Sequence, residues 1–505
     1  MDLFSLQTLL VVFVSLRLYF YFSKKQKPTT IKPGFTSYPV VGTLPEFLKN
    51  RHRFLEWTTQ VLSHSPHNTA VFRRPGKIHG IITANPLNIE YMLKTNFENY
   101  PKGDRFISLL EDFLGRGIFN SDGELWKLQR KTASFEFNTK SLRNFVMDII
   151  KEETQNRLIP QLVRVADLDQ IVDMQDVLER FAFDNVCKLA FNIDPGCLGG
   201  DATAGKEFMQ AFEDAATLSA GRFMYALPHL WKLKKALNIG SEKQLKESIS
   251  TVHSFADKII RSRMEAKQES AADLLSRFIG NESDESNSPE FLRDIVISFI
   301  LAGRDTTSSA LSWLFWLLGS RPDVKVNILE ELKAIRTRNG KNIGDPYSFE
   351  ELREMQYLQA VISEAMRLYP PVAVDSKECL KDDVLPDGTF VAKGWFVSYN
   401  TYAMGRMESI WGEDCRKFKP ERWLENGMCR QESPFRYPVF HAGPRICLGM
   451  NMAFIQMKSI AAVVLERFDM NVLEKDTCPD YVLSLTLRMK GGLRVKLRER
   501  SLDVI

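Results

Sequence analysis

Phe440-His441-Ala442-Gly443-Pro444-Arg445-Ile446-Cys447-Leu448-Gly449 decides the reading of this chain, and the apolar helical run Met452 to Leu465 follows directly. A cysteine just before a helix N-terminus has its thiolate favoured by backbone amides and the helix dipole. That lowers its pKa and suits the sulfur to hold a metal such as iron. Gly443 permits a tight turn that a side chain would block, Arg445 supplies a cationic donor, and Phe440 can shield one face of the sulfur. The other six cysteines (Cys187, Cys197, Cys379, Cys415, Cys429 and Cys478) lie at wide spacings without a CxxC pair. They read as inert core residues, in a chain suited to a reducing compartment.

Upstream, apolar periodicity predicts a helix over Phe291 to Leu318, and it contains Ala302-Gly303-Arg304-Asp305-Thr306-Thr307. Small Ala302 and Gly303 would let that helix approach a flat cofactor. A threonine hydroxyl there can divert the backbone hydrogen bond of the preceding turn and open a groove for dioxygen. In isolation the threonines read equally as a polar helix face. Glu364-Ala365-Met366-Arg367 puts opposite charges three apart on one helix face, with Arg422 in Pro420-Glu421-Arg422-Trp423 downstream. Trp126 and Arg130 lie four apart, so an indole N–H and a guanidinium share a face, both donors for carboxylate oxygens.

In this order the elements resemble the cytochromes P450, and they span nearly the whole chain. The resemblance implies a mainly α fold with small β-sheets. It implies haem b (iron protoporphyrin IX) held by Cys447 as axial ligand to the iron, with Phe440, Gly443, Arg445 and Gly449 shaping the loop. Ala302 and Gly303 would border the haem, and Trp126, Arg130 and Arg445 would hold its propionates. Thr306 would hydrogen-bond bound oxygen while Asp305 relays protons. Glu364, Arg367 and Arg422 would form a structural network behind the haem, where removing one member leaves a buried charge unpaired at a cost of roughly 3 to 5 kcal/mol. Thiolate donation supports O–O cleavage.

Three further stretches, Gly117 to Trp126, Lys131 to Phe137 and Phe181 to Cys187, together with Arg304, are similar to the plant fatty-acid omega-hydroxylases, and the cysteine loop with Gln456-Met457-Lys458 is most similar to family 94. This implies hydroxylation of the terminal or near-terminal carbon of a fatty acid. A jasmonoyl-amino acid conjugate, an oxylipin, is the alternative substrate. Omega selectivity requires a channel that presents only the chain end. Family analogy places its walls in residues 101–119, 371–376 and 482–487, with Val372 and Val374 foremost, and offers Lys102 or Arg105 for the substrate carboxylate. Two other classes compete: a haem-thiolate hydroperoxide isomerase or dehydratase, against which Asp305-Thr306 weighs, and a non-catalytic haem-binding protein.

The rest of the chain sets this enzyme in its surroundings. Leu3 to Phe22 is almost uninterruptedly apolar and long enough for a transmembrane helix. Lys24, Lys25, Lys27 and Lys32 follow it, which puts the catalytic part on the cytosolic face. The expected organisation is an anchor over 1–23, a basic and proline-rich hinge over 24–45, and a catalytic domain over 46–505, single-pass in the endoplasmic reticulum membrane. No glycine-rich strand-to-helix fingerprint for a flavin or nicotinamide occurs, so electrons must arrive from another protein; the resemblance implies NADPH used indirectly, through the membrane-bound NADPH cytochrome P450 reductase. A net charge of +4 on 67 basic and 63 acidic residues shows no basic excess of the kind a nucleic-acid partner would need. Other predicted helices are Phe145 to Leu158, Asp176 to Phe191, Gln244 to Met264 and Leu352 to Leu368. Short strands are expected at Val71–Phe72 with Gly80–Thr83, at Phe390–Val391 with Trp395–Tyr399, and at Leu493–Leu497. Residues 280–289 read as an exposed polar loop ending at a helix start.

Overall fold

A computed structural model describes residues 34–76, 78–135, 137, 146–199, 203–227, 229–265, 274–279 and 288–500. The predicted anchor, residues 24–33 of the hinge and the loop 280–287 lie outside these residues. Among the described residues no helix is long and apolar enough to cross a membrane.

The architecture is mainly helical with small sheets, as predicted. The helix Met174–Phe191 starts where the Asp173 carboxylate accepts from the amides of Gln175 and Asp176, and it stops at Asn192, whose φ of 52° is left-handed. Ser288 caps Pro289–Ile300 by accepting from the Phe291 amide at 3.1 Å, with Pro289 in the first turn. Leu352 to Leu368 is not one helix. It breaks at Met355 into Phe349–Glu354 and Gln356–Leu368, because the Glu331 carboxylate accepts from the amides of Tyr357 (2.7 Å) and Leu358 (2.9 Å) and caps a fresh helix start.

A four-stranded sheet runs in the order Thr69–Arg74, Ile78–Thr83, Phe396–Asn400, Val374–Glu378. Its central pair is parallel and the outer pairs are antiparallel. Phe396–Asn400 is buried at every position, so it carries no alternating pattern. Phe390–Val391 does not join it; that strand pairs with Asp383–Val384 in a separate hairpin. The described end of the hinge is docked, since Thr43 N donates to Arg73 O at 2.7 Å, and Leu44 and Pro45 already open the helix Leu44–Asn50. Three apolar clusters form the core. Residues from all three, among them Met366, Phe299 and Ile82, line one cavity of about 560 Å³.

Candidate active site

The cysteine loop is wound by two short helical turns, Pro438–Phe440 and Gly443–Arg445. Cys447 N donates to Phe440 O at 2.8 Å, which brings the two ends of the loop together. Gly443 has a φ of 63°, and a Cβ there would stand 1.9 Å from Leu93 O, so the expected tight turn needs glycine twice over. Cys447 lies deep in the protein, yet its side chain has open surface, and that surface faces the cavity. The predicted fall in its pKa is not what the fold produces. Burial pushes the thiol up, against the Gly449 amide and the Arg130 charge, which pull it down. The helix proper starts only at Met450, so its dipole reaches the sulfur through one amide.

Trp126 and Arg130 stand one turn apart on Gly123–Ser134, and Arg445 joins them from the loop. The Arg445 guanidinium carbon lies 4.2 Å from the Trp126 ring centre and that of Arg130 lies 6.0 Å away. Arg445 donates to Asp122 at 2.6 Å and Arg130 to Ile446 O at 2.6 Å. Arg445 Nε is buried without a hydrogen-bond partner among the described residues. All three side chains line the cavity, giving it a wall of donors.

Beside this wall is a cluster that sequence reasoning missed. Asp375 is contacted by Lys102 Nζ (2.6 Å), Lys377 Nζ (3.2 Å), His441 Nε2 (3.4 Å) and the Tyr399 hydroxyl (3.3 Å). The adjacent lysines hold the Asp375 carboxyl well below its ordinary range despite burial. Burial and Lys377 push His441 down to about 4, so its imidazole is neutral at physiological pH. His441 sits within the decisive loop, but nothing local in the sequence brings residues 102, 375, 377 and 399 to it.

The helix over residues 289–319 changes character where the motif falls. Pro289–Ile300 and Thr306–Gly319 are α-helical, and Leu301–Asp305 between them is a π turn. Thr306 Oγ1 donates to Ala302 O at 2.7 Å, the diverted hydrogen bond the sequence predicts. Ala302, Gly303 and Thr306 line the cavity. Gly303 has a second reason to be small, because a Cβ there would stand 2.5 Å from Val186 of the neighbouring helix. Asp305 points elsewhere, into a separate polar pocket shared with Glu179, Glu213, Arg304, Ser308 and Arg488. Burial raises its carboxyl to about 6, with Arg304 at 3.2 Å opposing.

Behind the loop, Arg367 pairs with Glu364 through two hydrogen bonds of 2.7 and 2.8 Å, and Arg422 adds a third at 2.9 Å. Glu364 is 0% and Arg367 1% exposed, which makes this a buried network and not a surface pair. Arg367 also donates to Gly405 O and Cys415 O, and Trp423 Nε1 donates to Glu364 at 2.9 Å. Trp423 packs on Tyr437, which precedes the loop, at 4.7 Å. None of the three charged residues lines the cavity.

A cytochrome P450 family profile matches residues 33–495. The chain belongs to the cytochrome P450 family. It is 53% identical over 95% of its length to cytochrome P450 CYP94D108 of Paris polyphylla, with 93% of that protein covered. Identity is 48% to cytochrome P450 94B1 of Arabidopsis thaliana, over 95% of this chain and 94% of that protein. With cytochrome P450 94A1 of Vicia sativa it is 46%, over 92% and 90%. The chain is therefore a P450 monooxygenase similar to family 94, and the family implies a haem-thiolate cofactor with electrons supplied by a redox partner. The residues fit such a group: a sulfur open to the cavity, small side chains on the π turn, and an orphaned buried arginine nitrogen in a donor wall suited to carboxylates.

The three segments expected to wall a substrate channel all reach this P450 cavity, and Val372 and Val374 are among its lining residues. The two basic candidates fare differently. Lys102 is committed to Asp375 and so is not available for a substrate carboxylate. Arg105 stacks over Phe396 at 4.4 Å and is not among the lining residues.

Proposed function

We propose that this P450 hydroxylates the terminal or near-terminal carbon of fatty acids, using dioxygen and electrons from NADPH delivered by the membrane-bound reductase. The observation that carries the reading is the large cavity with Cys447 on its surface, whose lining, apart from the residues that would hold haem, is mostly aromatic and aliphatic, with Phe106, Leu110, Phe223 and Leu485 among it. An acyl chain is the ligand that such walls desolvate best. In this reading Cys447 ligates haem b, and Trp126, Arg130 and Arg445 hold its propionates. Phe440, Gly443 and Gly449 shape the thiolate loop, and Ala302 and Gly303 border the haem. Glu364, Arg367 and Arg422 hold the loop from behind. The bound haem supplies oxygen activation and the oxidising equivalent for C–H cleavage.

The protein's own part is positional. Thr306, locked onto Ala302 O, presents its oxygen at the cavity wall, and Asp305 takes protons from the polar pocket behind the helix. Val372 and Val374 narrow the passage so that a methyl end reaches the reacting position before the weaker methylene C–H bonds do. Residues 1–23 anchor the protein in the endoplasmic reticulum membrane, 24–45 form the hinge, and 46–505 make up the cytosolic catalytic domain.

The test is product analysis after expression with the reductase, over a panel of free fatty acids and jasmonoyl-isoleucine. Omega-hydroxy acids support the reading. NADPH consumption with no fatty-acid product, or turnover of jasmonoyl-isoleucine alone, overturns the substrate while leaving the monooxygenase.

A further inference from the structure

Behind the cavity wall stands a stack of oxidisable side chains that lies outside the site described above. Thr306 and Ala310 line the cavity from one helix, and Trp313 lies on the same helix two turns beyond Thr306, hence about 10 Å further along its axis. Its buried indole donates to Leu487 O at 3.0 Å, and Leu487 is again a lining residue. The Tyr369 ring lies flat on that indole, with centres 4.1 Å apart and planes 3° from parallel. Trp316 stands edge-on to both, at 5.8 and 5.6 Å. The Tyr369 hydroxyl then meets the Cys478 sulfur at 3.4 Å, and Cys478 is exposed. The series therefore runs from just behind the cavity wall to the surface.

Packing explains why Trp313 is buried, but not this order. Indole, phenol and thiol are among the side chains that give up an electron most readily, and here each can be oxidised by the one before it. The Trp313 N–H points at a backbone carbonyl, which is no base, so an oxidised indole keeps its proton and remains a strong oxidant. The Arg406 guanidinium lies 5.0 Å from the Tyr369 ring centre and opposes positive charge there, so Tyr369 yields its electron only together with its phenolic proton. The hydroxyl sits at the exposed end of the series, where that proton leaves to solvent.

We infer that Trp313, Tyr369 and Cys478 form an escape route for oxidising equivalents that find no substrate C–H bond, carrying them to the surface before they damage the cavity. The route follows from membership of the monooxygenase family and needs no particular substrate. One electron passes from Trp313 into the haem site. Tyr369 refills the indole and releases its phenolic proton; Cys478 then gives a hydrogen atom to the phenoxyl, breaking S–H and re-forming O–H. A small soluble thiol returns a hydrogen atom to the sulfur. Two passages deliver the two electrons that, with two protons, turn the unspent oxygen atom into water. The two protons released at Tyr369 balance those taken up, and two thiols become one disulfide.

The test uses the full-length haem-loaded protein without substrate, mixed with a peracid that supplies oxidising equivalents directly and freeze-quenched for electron paramagnetic resonance. The wild type is expected to show a tyrosyl radical, replaced in Tyr369→Phe by a tryptophanyl one. Without added thiol, peptide mass spectrometry should find oxidation at Cys478 in the wild type, and at the cavity methionines Met366, Met452 and Met457 in Trp313→Phe and Tyr369→Phe. With dithiothreitol present, haem bleaching should be several-fold faster in both variants and in Cys478→Ser than in the wild type. Tyr369→Phe keeps the stacked ring and removes only the hydroxyl, so it decides the matter if Trp313→Phe folds poorly. Radicals, oxidation sites and bleaching rates unchanged by Tyr369→Phe overturn the route. Faster bleaching without a change of radical or of oxidation sites overturns it as well, since that pattern is the mark of a loosened haem.

Discussion

Asp305→Asn should make the protein more stable and less active, and the stability gain should grow with pH. In the unfolded chain this carboxyl has a pKa of 3.8, and in the fold burial raises it to about 6. The neighbours are mixed: Arg304 and Arg488 favour the charged form, while Glu179 and Glu213 oppose it. Because the raised pKa belongs to an acid, the folded state is penalised for ionising it. The penalty is absent below pH 3.8, rises from there, and is complete above about pH 6, where it amounts to about 3 kcal/mol. At pH 5 roughly half of it is present, so the advantage of the amide over the wild type should increase by about 1 kcal/mol between pH 5 and pH 8. Urea unfolding of both haem-loaded proteins at several pH values and constant ionic strength measures that difference, and comparing the two cancels the titrating groups that do not interact with Asp305. Turnover with the reductase should fall in the same variant, since the amide cannot relay a proton. A gain that is flat or shrinks with rising pH would refute the reasoning, because it would mean that Arg304 stabilises the carboxylate more than burial opposes it.

Arg367→Ala leaves Glu364 buried and frees three backbone carbonyls, so stability should drop by about 3 to 5 kcal/mol and haem content in the purified protein should fall with it. Gly443→Ala meets both a left-handed backbone and Leu93 O, and a loss of about 2 kcal/mol or more is expected in denaturant titration, with the loop distorted enough to impair haem retention. Thr306→Val keeps the helix shape but not the hydroxyl held on Ala302; product formation should fall about 10²-fold while NADPH is still consumed. In Cys447→Ser the reduced protein with carbon monoxide should lose the red-shifted absorption that a thiolate produces, and hydroxylation should cease.

Much of the site was legible in the sequence wherever its parts are local. The loop from Phe440 to Gly449, the Trp126–Arg130 pair, the Ala302–Thr306 turn and the Glu364–Arg367 pair each fit within about one to three helical turns. Backbone geometry alone brings such side chains together, so residue type and spacing determine the result. The diverted hydrogen bond of Thr306 belongs here, because donor and acceptor lie four residues apart. Helices with strong periodicity were equally readable, since an apolar stripe at helical spacing is its own signal.

Tertiary structure decided whatever depended on partners distant in the chain. The Asp375 cluster draws on residues 102, 377, 399 and 441, and the break at Met355 comes from a carboxylate on another helix. The parallel pairing of Ile78–Thr83 with Phe396–Asn400 joins strands more than three hundred residues apart, and a strand buried on both faces leaves no alternation to read. Burial belongs to this second class too. It reverses the expected shift of the Cys447 thiol, raises the Asp305 carboxyl and lowers the Arg74 guanidinium. Sequence dictates which charges exist and how near neighbours sit; only the closed fold determines how far each stands from water, and at Cys447 and Asp305 the loss of water outweighs the opposing pull of neighbouring arginines.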